Sequence, residues 1–187
     1  KTTALNIKAK QIGLRAFPDA NVYGGPLIGC HVGSDVAADL LAVGMGENEQ
    51  VSMLVDVGTN TEVVVGNKDR MIAASCPAGP AFEGGEIQYG MPAYDGAIEH
   101  IQFEGDNVKY KTISEVKPTG ICGSGLIDLL AELKKSGKMN YLGVLENGLS
   151  EFMIAPEYNL SLSRSDISAL AQAKAANYCG QKIVLRE

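Results

Sequence analysis

The sequence has no close cysteine pair. Its four cysteines, Cys30, Cys76, Cys122 and Cys179, stand far apart, whereas zinc sites and iron–sulfur clusters usually draw two ligands from one tight turn. Only His31 and His100 could add imidazole ligands. A resident metal cluster is therefore not expected, and the thiols read as reduced and mostly buried. Basic excess is also lacking: 16 Lys and Arg stand against 22 Asp and Glu, a net charge of -6. That balance excludes a broad phosphate-backbone surface, so nucleic acid is not an expected partner. No apolar run approaches the length of a membrane span, and no charged-then-apolar leader opens the chain. No membrane partner is expected, and a cytoplasmic location is. Neither an internal repeat nor a low-complexity tract appears. Lys1-Thr2-Thr3-Ala4-Leu5 opens without methionine, and Arg186-Glu187 follows directly on a strong helix pattern. The chain is accordingly read as an excerpt of a larger polypeptide.

What remains is ordinary globular sequence. The 187 residues, 45% apolar and 20% charged, suffice for one domain or two small lobes with a proper core. The chain is organised around Leu54 to Asn67. Two apolar, β-branched runs flank the polar turn at Gly58-Thr59-Asn60, and Gly66-Asn67-Lys68-Asp69 then reverses the chain. The pattern predicts a buried strand, a tight loop and a second, antiparallel strand. Asp56 sits where the first strand runs out. Gly58 permits close backbone approach, successive N–H groups can line an anion, and the Thr59 hydroxyl adds a donor. Such a turn suits phosphate, and Asp56 could hold a hydrated Mg²⁺, which favours one or two carboxylates plus phosphate oxygens. A hairpin whose polar turn merely faces water fits the same spacing.

The other elements read as follows. Asn6 to Leu14 is a short strand or helix, and Val22 to Gly29 a glycine-rich connector. Ser34 is the expected N-cap of a helix with Val36, Ala37, Leu40 and Leu41 as its apolar stripe, ended by Gly44 and Gly46. A third strand at Arg70–Ala74 leads into a small-residue loop, Ser75 to Gly85, that is expected to enter a helix near Ala81. A helix N-terminus there would bring N–H groups and the positive dipole end to the phosphate hairpin; tight packing alone would also explain the small residues. Ile98–Phe103 and Val108–Ile113 alternate and form a hairpin. Behind Gly120 to Gly125 runs a helix burying Leu126, Ile127, Leu129, Leu130 and Leu133, closed by Ser136-Gly137. Short strands are expected at Glu151–Ile154 and Tyr158–Leu162. Ser163 and Asp166 form a capping box for a last, alanine-dense helix using Ile167, Leu170, Ala171 and Tyr178. Strands mostly precede helices, which indicates a mixed sheet with helices on its faces.

Three segments together resemble one family. They are Leu54-Val55-Asp56-Val57-Gly58-Thr59-Asn60-Thr61-Glu62, Cys76-Pro77-Ala78-Gly79-Pro80-Ala81-Phe82-Glu83-Gly84 and Gly120-Ile121-Cys122-Gly123-Ser124-Gly125-Leu126-Ile127-Asp128. The first looks like a phosphate hairpin of the acetate and sugar kinase/Hsp70/actin superfamily. The ordered set resembles the ATP-dependent reductive activators of corrinoid proteins, over residues 20 to 187. The resemblance implies a mixed α/β fold: an incomplete ribonuclease H-like, actin-like ATPase lobe. Residues 1–187 would be part of one such domain, with about 1–50 a connecting segment and helix and 51–187 the second lobe carrying the hairpin. Two departures stand out, Thr61 where the family pattern has glycine and Pro92 where it has arginine.

The resemblance also implies function. Members bind ATP and return the Co(II) corrinoid of a methyltransferase system to Co(I), the electron leaving a [2Fe-2S] cluster that belongs to the parent protein and not to this chain. The expected partners are a nucleotide and a corrinoid-binding protein, with a homodimer left open. Asp56 would orient Mg²⁺ or its waters, and Gly58, Thr59 and Asn60 would contact the β- and γ-phosphates. Glu62 would position water or cap the turn, and Gly79, Pro80 and Glu83 would line the second phosphate-side loop. Gly123-Ser124-Gly125 reads as a packing turn. Two other readings are compatible with the sequence: a sugar or carboxylate kinase lobe, and a non-catalytic docking module for the corrinoid protein.

Overall fold

A computed structural model of the protein describes residues 3–186. The chain divides into two compact units, one formed by residues 3–56, Thr61–Cys76 and 180–186, the other by Val57–Asn60 and Pro77–Cys179.

In the first unit, β1 (Leu5–Lys8) and β2 (Asn21–Gly24) pair antiparallel, Leu5 opposite Gly24 and Ile7 opposite Val22. The Asn6–Leu14 segment is thus a strand followed by a 3₁₀ turn at Ala9–Ile12, and the glycine-rich connector begins as a strand. Helix α1 (Ser34–Ala42) starts one residue earlier than its capping signal suggested. Gly33 takes the cap position and Ser34 is the first helical residue. Only part of the expected stripe turns inward: Val36 is fully buried and Leu40 packs on the core, whereas Leu41 is 84% exposed. Gly44, at φ 65°, carries the chain out of the helix. Strands β3 (Ser52–Val57), β4 (Asn60–Gly66) and β5 (Met71–Pro77) follow in a sheet of that order. The two-residue link between β3 and β4 permits only an antiparallel hairpin. At the next reversal Gly66 has φ 152°, and a Cβ there would lie 2.1 Å from the Arg70 carbonyl oxygen, so no other residue fits. The Asn67 side chain accepts from the amides of Asp69 and Arg70 and closes that turn. Val64 packs with Val32, Val36 and Met45 in a small core of its own.

The second unit has the larger core. β6 (Ala97–Glu104) and β7 (Asn107–Thr112) form the expected hairpin, and β8 (Gly120–Ile121) runs parallel to the start of β6, giving the order β7-β6-β8. Helix α2 (Gly123–Lys135) then travels along the β6 edge that β8 leaves uncovered. Leu126, Leu129 and Leu133 are fully buried, while Ile127 lies out of phase with them and is 51% exposed. The helix also serves the strand's unpaired amides. The Asp128 carboxylate accepts from the Ile101 N–H at 3.2 Å, and Glu132 accepts from the Phe103 N–H at 2.9 Å. Asp128 additionally holds Nδ1 of His100 at 2.6 Å. The Phe103 N–H, with help from Lys135, keeps the Glu132 carboxyl below its ordinary pKa.

Hairpin β9 (Glu151–Ala155) and β10 (Leu160–Ser163) leads into α3 (Arg164–Val184). The capping box is present: the Ser163 N–H donates to Asp166 at 2.8 Å, and the Asp166 N–H donates to the Ser163 hydroxyl oxygen at 3.2 Å. Ile167, Leu170 and Ala173 face the core, but Ala171 and Tyr178 face solvent, so the buried stripe is rotated from the expected one. Beyond Cys179 the helix belongs to the first unit, where a Cβ on Gly180 would come within 2.9 Å of the Cys76 sulfur. Cys122 is buried and Cys76 half-buried, while Cys30 and Cys179 are exposed, contrary to the expectation of mostly buried thiols. Among the described residues no helix is long and apolar enough to cross a membrane.

Candidate nucleotide phosphate site

In the second unit, the tip of the central hairpin is held from two directions. The Gly58 N–H donates to the Asn60 carbonyl at 3.1 Å, closing the turn. That amide, counted from sequence among donors for an anion, is engaged by the turn itself. The Thr59 carbonyl then accepts two N–H groups, from Ala78 at 3.0 Å and from Gly79 at 2.9 Å. These bonds fasten the second small-residue loop to the turn across a long sequence gap.

That loop does not enter an α-helix near Ala81. Gly79 has φ 83° and ψ 164°, a conformation restricted to glycine, Pro80 starts a single 3₁₀ turn through Glu83, and Gly84 leaves it at φ 85°. A Cβ on Gly84 would lie 2.4 Å from the Met91 nitrogen. A short 3₁₀ turn brings little dipole, so the expected helix N-terminus is replaced by side chains. Glu83 is fixed with its carboxylate over the hairpin. The Thr59 hydroxyl donates to Glu83 Oε2, and a Cβ on Gly58 would lie 3.6 Å from Glu83 Oε1.

Of the residues expected from sequence, Gly58, Thr59, Asn60, Gly79, Pro80 and Glu83 thus meet within this unit. Beside Gly79 and Pro80 opens a cleft of about 410 Å³, also lined by Glu86, Ser165, Ser168 and Gln172. Glu86 takes a left-handed conformation, φ 64°. Residues 165, 168 and 172 share one helical face, a polar stripe at i, i+3 and i+7 that the sequence could have shown.

Asp56 and Glu62 belong to the first unit. Asp56 is half-buried near the end of β3. Glu62 is 7% exposed, and its carboxylate accepts from the Ser75 hydroxyl on the neighbouring strand at 2.8 Å. Ser75 has no signal in the sequence, because finding it requires the strand register. Next to Glu62, Thr61 is completely buried, and its hydroxyl oxygen has no hydrogen-bond partner among the described residues. A buried hydroxyl left unpaired costs about 1–3 kcal/mol. Thr61→Val keeps the shape and removes the hydroxyl, so it is expected to stabilise the protein by about 1 kcal/mol. Urea denaturation followed by circular dichroism would read this as a higher midpoint with unchanged slope.

The packing turn is also where sequence placed it. A Cβ on Gly123 would meet the Phe82 carbonyl oxygen at 2.1 Å, and one on Gly125 the Ile98 carbonyl oxygen at 2.3 Å. Both positions are filled by neighbouring backbone, leaving no room for a ligand.

Comparison with known proteins identifies the family. The family described as the C-terminal domain of RACo, the ASKHA domain, matches residues 50–187. The corrinoid activation enzyme RamQ of Eubacterium limosum is 33% identical over 201 residues, covering 95% of this chain and 34% of RamQ. A [Co(II) methylated amine-specific corrinoid protein] reductase of Methanosarcina barkeri is 27% identical over 209 residues, covering 94% of this chain and 38% of the reductase. A solved structure of a reductive activator for a corrinoid, iron–sulfur protein superposes with a TM-score of 0.86 at 36% identity, covering 97% of this chain and 32% of the activator. The chain therefore spans about a third of the length of these relatives. With its mixed α/β build and the match over residues 50–187, the chain belongs to the RACo C-terminal ASKHA-domain family, a nucleotide-binding fold of the actin-like ATPase type.

Proposed function

We propose that this chain forms the phosphate-binding side of the ATP site in a protein that returns the Co(II) corrinoid of a methyltransferase system protein to Co(I). The observation that carries the reading is the hairpin tip, where two N–H groups of the Ala78-Gly79 loop grip the Thr59 carbonyl and bring Gly79, Pro80 and Glu83 to Gly58, Thr59 and Asn60.

The residues fit the ligand they would take. Gly79 leaves backbone uncovered, the Thr59 hydroxyl stands at the tip beside the Glu83 carboxylate it donates to, and the cleft beside Pro80 has space and polar groups for more of a nucleotide. Among the described residues no cluster of three or more His, Cys, Asp or Glu could cage a metal ion. Hard oxygen ligands in ones and twos suit Mg²⁺ that arrives with the phosphates and keeps its waters. Gly58, Thr59 and Asn60 would meet the β- and γ-phosphates, Asp56 would orient the hydrated Mg²⁺, and Gly79 and Pro80 would wall the loop side. Glu62, bonded to Ser75, would brace β4 on β5 rather than position water. Bound Mg-ATP supplies binding and hydrolysis free energy. This chain's part is to convert phosphate occupancy into a preference between conformations with different affinity for the Co(II) protein.

The reduction itself adds one electron to Co(II), giving Co(I). The donor would be an iron–sulfur group of the parent protein, outside this chain. In this reading residues 51–187 act as the second lobe of one actin-like domain, the first fifty or so connect to it, and the protein works in the cytoplasm on a corrinoid-binding partner.

Isothermal titration with Mg-ATP, on this chain and on an Asp56→Ala variant, tests the assignment. Saturable binding that weakens at least about tenfold in the variant is expected from loss of a carboxylate that orients the ion. Absence of binding by both the unaltered chain and its parent protein would overturn the phosphate assignment, and equal binding by chain and variant would remove Asp56 from it.

A further inference from the structure

We infer that Glu83 makes phosphate binding at the Gly58-Thr59 turn conditional on a divalent cation, and so sets the site's preference for metal-complexed over free nucleotide. This rests on the phosphate assignment made above and adds a residue that determines specificity.

Glu83 stands where the incoming group must go. The donor best placed for a terminal phosphate, the Thr59 hydroxyl, already donates to Glu83 Oε2, and Oε1 overhangs Gly58. The carboxylate is exposed and reaches this position from a stiff backbone. Gly79 and Gly84 occupy conformations that favour glycine on either side of the 3₁₀ turn, and the Ala78 and Gly79 amides are tied to the Thr59 carbonyl. Among the described residues no Lys, Arg or His is paired with Glu83. Its charge is therefore not neutralised by an ion pair.

The Thr59 hydroxyl has one proton to donate, so a phosphate that takes it displaces Glu83 and leaves two anions side by side unless a cation lies between them. A free polyphosphate meets the carboxylate at close range and is repelled. A polyphosphate carrying Mg²⁺ presents instead an ion that favours carboxylate and phosphate oxygens together, directly or through water. The same side chain thus opposes one form of the nucleotide and favours the other. Selectivity built by repelling the wrong ligand is a common device.

The test is a two-by-two titration of the chain and its Glu83→Gln variant with ATP, in excess Mg²⁺ and in excess EDTA, followed by calorimetry. Glutamine keeps an oxygen acceptor for the Thr59 hydroxyl, removes the charge and turns the second oxygen into an NH2 donor, and unchanged circular dichroism melting shows that the variant is folded. The unaltered chain is expected to bind at least about tenfold more tightly with Mg²⁺ than with EDTA. In the variant the ratio should fall towards one, mainly through a gain of metal-free binding. If the variant keeps the full ratio, Glu83 is only a brace for Thr59 and the inference is wrong, with the phosphate assignment intact. Loss of binding by the variant in both buffers also overturns it, by making the carboxylate essential irrespective of metal. If the unaltered chain and its parent protein bind in neither buffer, the phosphate assignment fails and this inference fails with it.

Discussion

Gly125→Ala is expected to destabilise the Pro77–Cys179 unit by about 3 kcal/mol or more, at the upper end of what one added methyl does. The new Cβ would lie 2.3 Å from the Ile98 carbonyl oxygen and 2.9 Å from Ile121 Cγ2. The first of these is backbone of the central strand β6 and cannot swing away. Its carbonyl oxygen also accepts the Cys122 N–H at 3.1 Å and the Cys122 thiol at 3.4 Å, so shifting it strains the start of α2 as well. Moving the helix instead would lift Leu126, Leu129 and Leu133 from the core together. Intrinsic propensity acts in the opposite direction, since alanine is better than glycine inside a helix by about 1 kcal/mol. A stabilised variant would therefore mean that the close approach of α2 and β6 is wrong. Ser124→Ala, which loses an exposed bond to the Glu99 carbonyl and a weak contact with the Cys122 thiol at 3.4 Å, serves as the mild control at about 1 kcal/mol. Urea denaturation of both variants by circular dichroism separates the two effects.

Asp166→Ala is expected to be comparably damaging, at about 3 kcal/mol, because one 3%-exposed carboxylate serves three donors. It accepts from the Ser163 N–H, from the Ser163 hydroxyl at 2.7 Å, and from the Gln88 N–H at 3.0 Å, 78 residues away in sequence. The first two bonds start α3. The third pins the segment that leaves Gly84-Gly85 and passes through Glu86, part of the lining of the cleft beside Pro80. Alanine removes the acceptor of all three donors at once, leaving the Ser163 hydroxyl only its contact with Ser165 at 2.8 Å. A melting temperature lower by about 10 °C is the expected reading for a protein of this size. A drop of only a degree or two would show that the capping box contributes locally and that Gln88 is held by other means.

How far the sequence carried can be seen in these two residues. Ser163 and Asp166 announce their bond because capping is a local rule with a fixed spacing, and the hairpins at Leu54–Asn67 and Ile98–Ile113 are legible for the same reason. The bond from Asp166 to Gln88 is not, and neither is the one from Thr59 to Glu83, since each depends on where distant segments come to rest. Periodicity also misled where composition was uniform. In α3 nearly every face offers alanine, so the buried stripe could be drawn through Ala171 and Tyr178 as easily as through Ala173 and Asn177. In α2 the apolar residues Leu126, Ile127, Leu129 and Leu130 crowd both sides of the true stripe, so pattern alone places Ile127 inside although it is exposed. Around Ala81 the residues that permit a helix are confined between Gly79-Pro80 and Gly84-Gly85, and the glycines left room for only a single tight turn. For the site, Gly58, Thr59, Asn60, Gly79, Pro80 and Glu83 meet in one unit, though the contact that singles out Glu83 appears only in three dimensions.

Asp128 and Glu132 act on β6 like two teeth of a key. Four helical residues advance about 6 Å, and two strand residues about 6.6–6.8 Å, so carboxylates one helical repeat apart meet alternate amides of an extended chain. Adding or deleting one residue within α2 between Gly125 and Glu132 would swing at least one tooth through about a quarter turn and lift it from the strand. Beyond its own hairpin, the exposed reversal at Glu104–Asn107 is tied among the described residues only by the surface Lys138–Asp106 ion pair at 2.7 Å, which tolerates a shift of the tip. Length variation in chains of this architecture is accordingly free at the hairpin tip and closed along the helix.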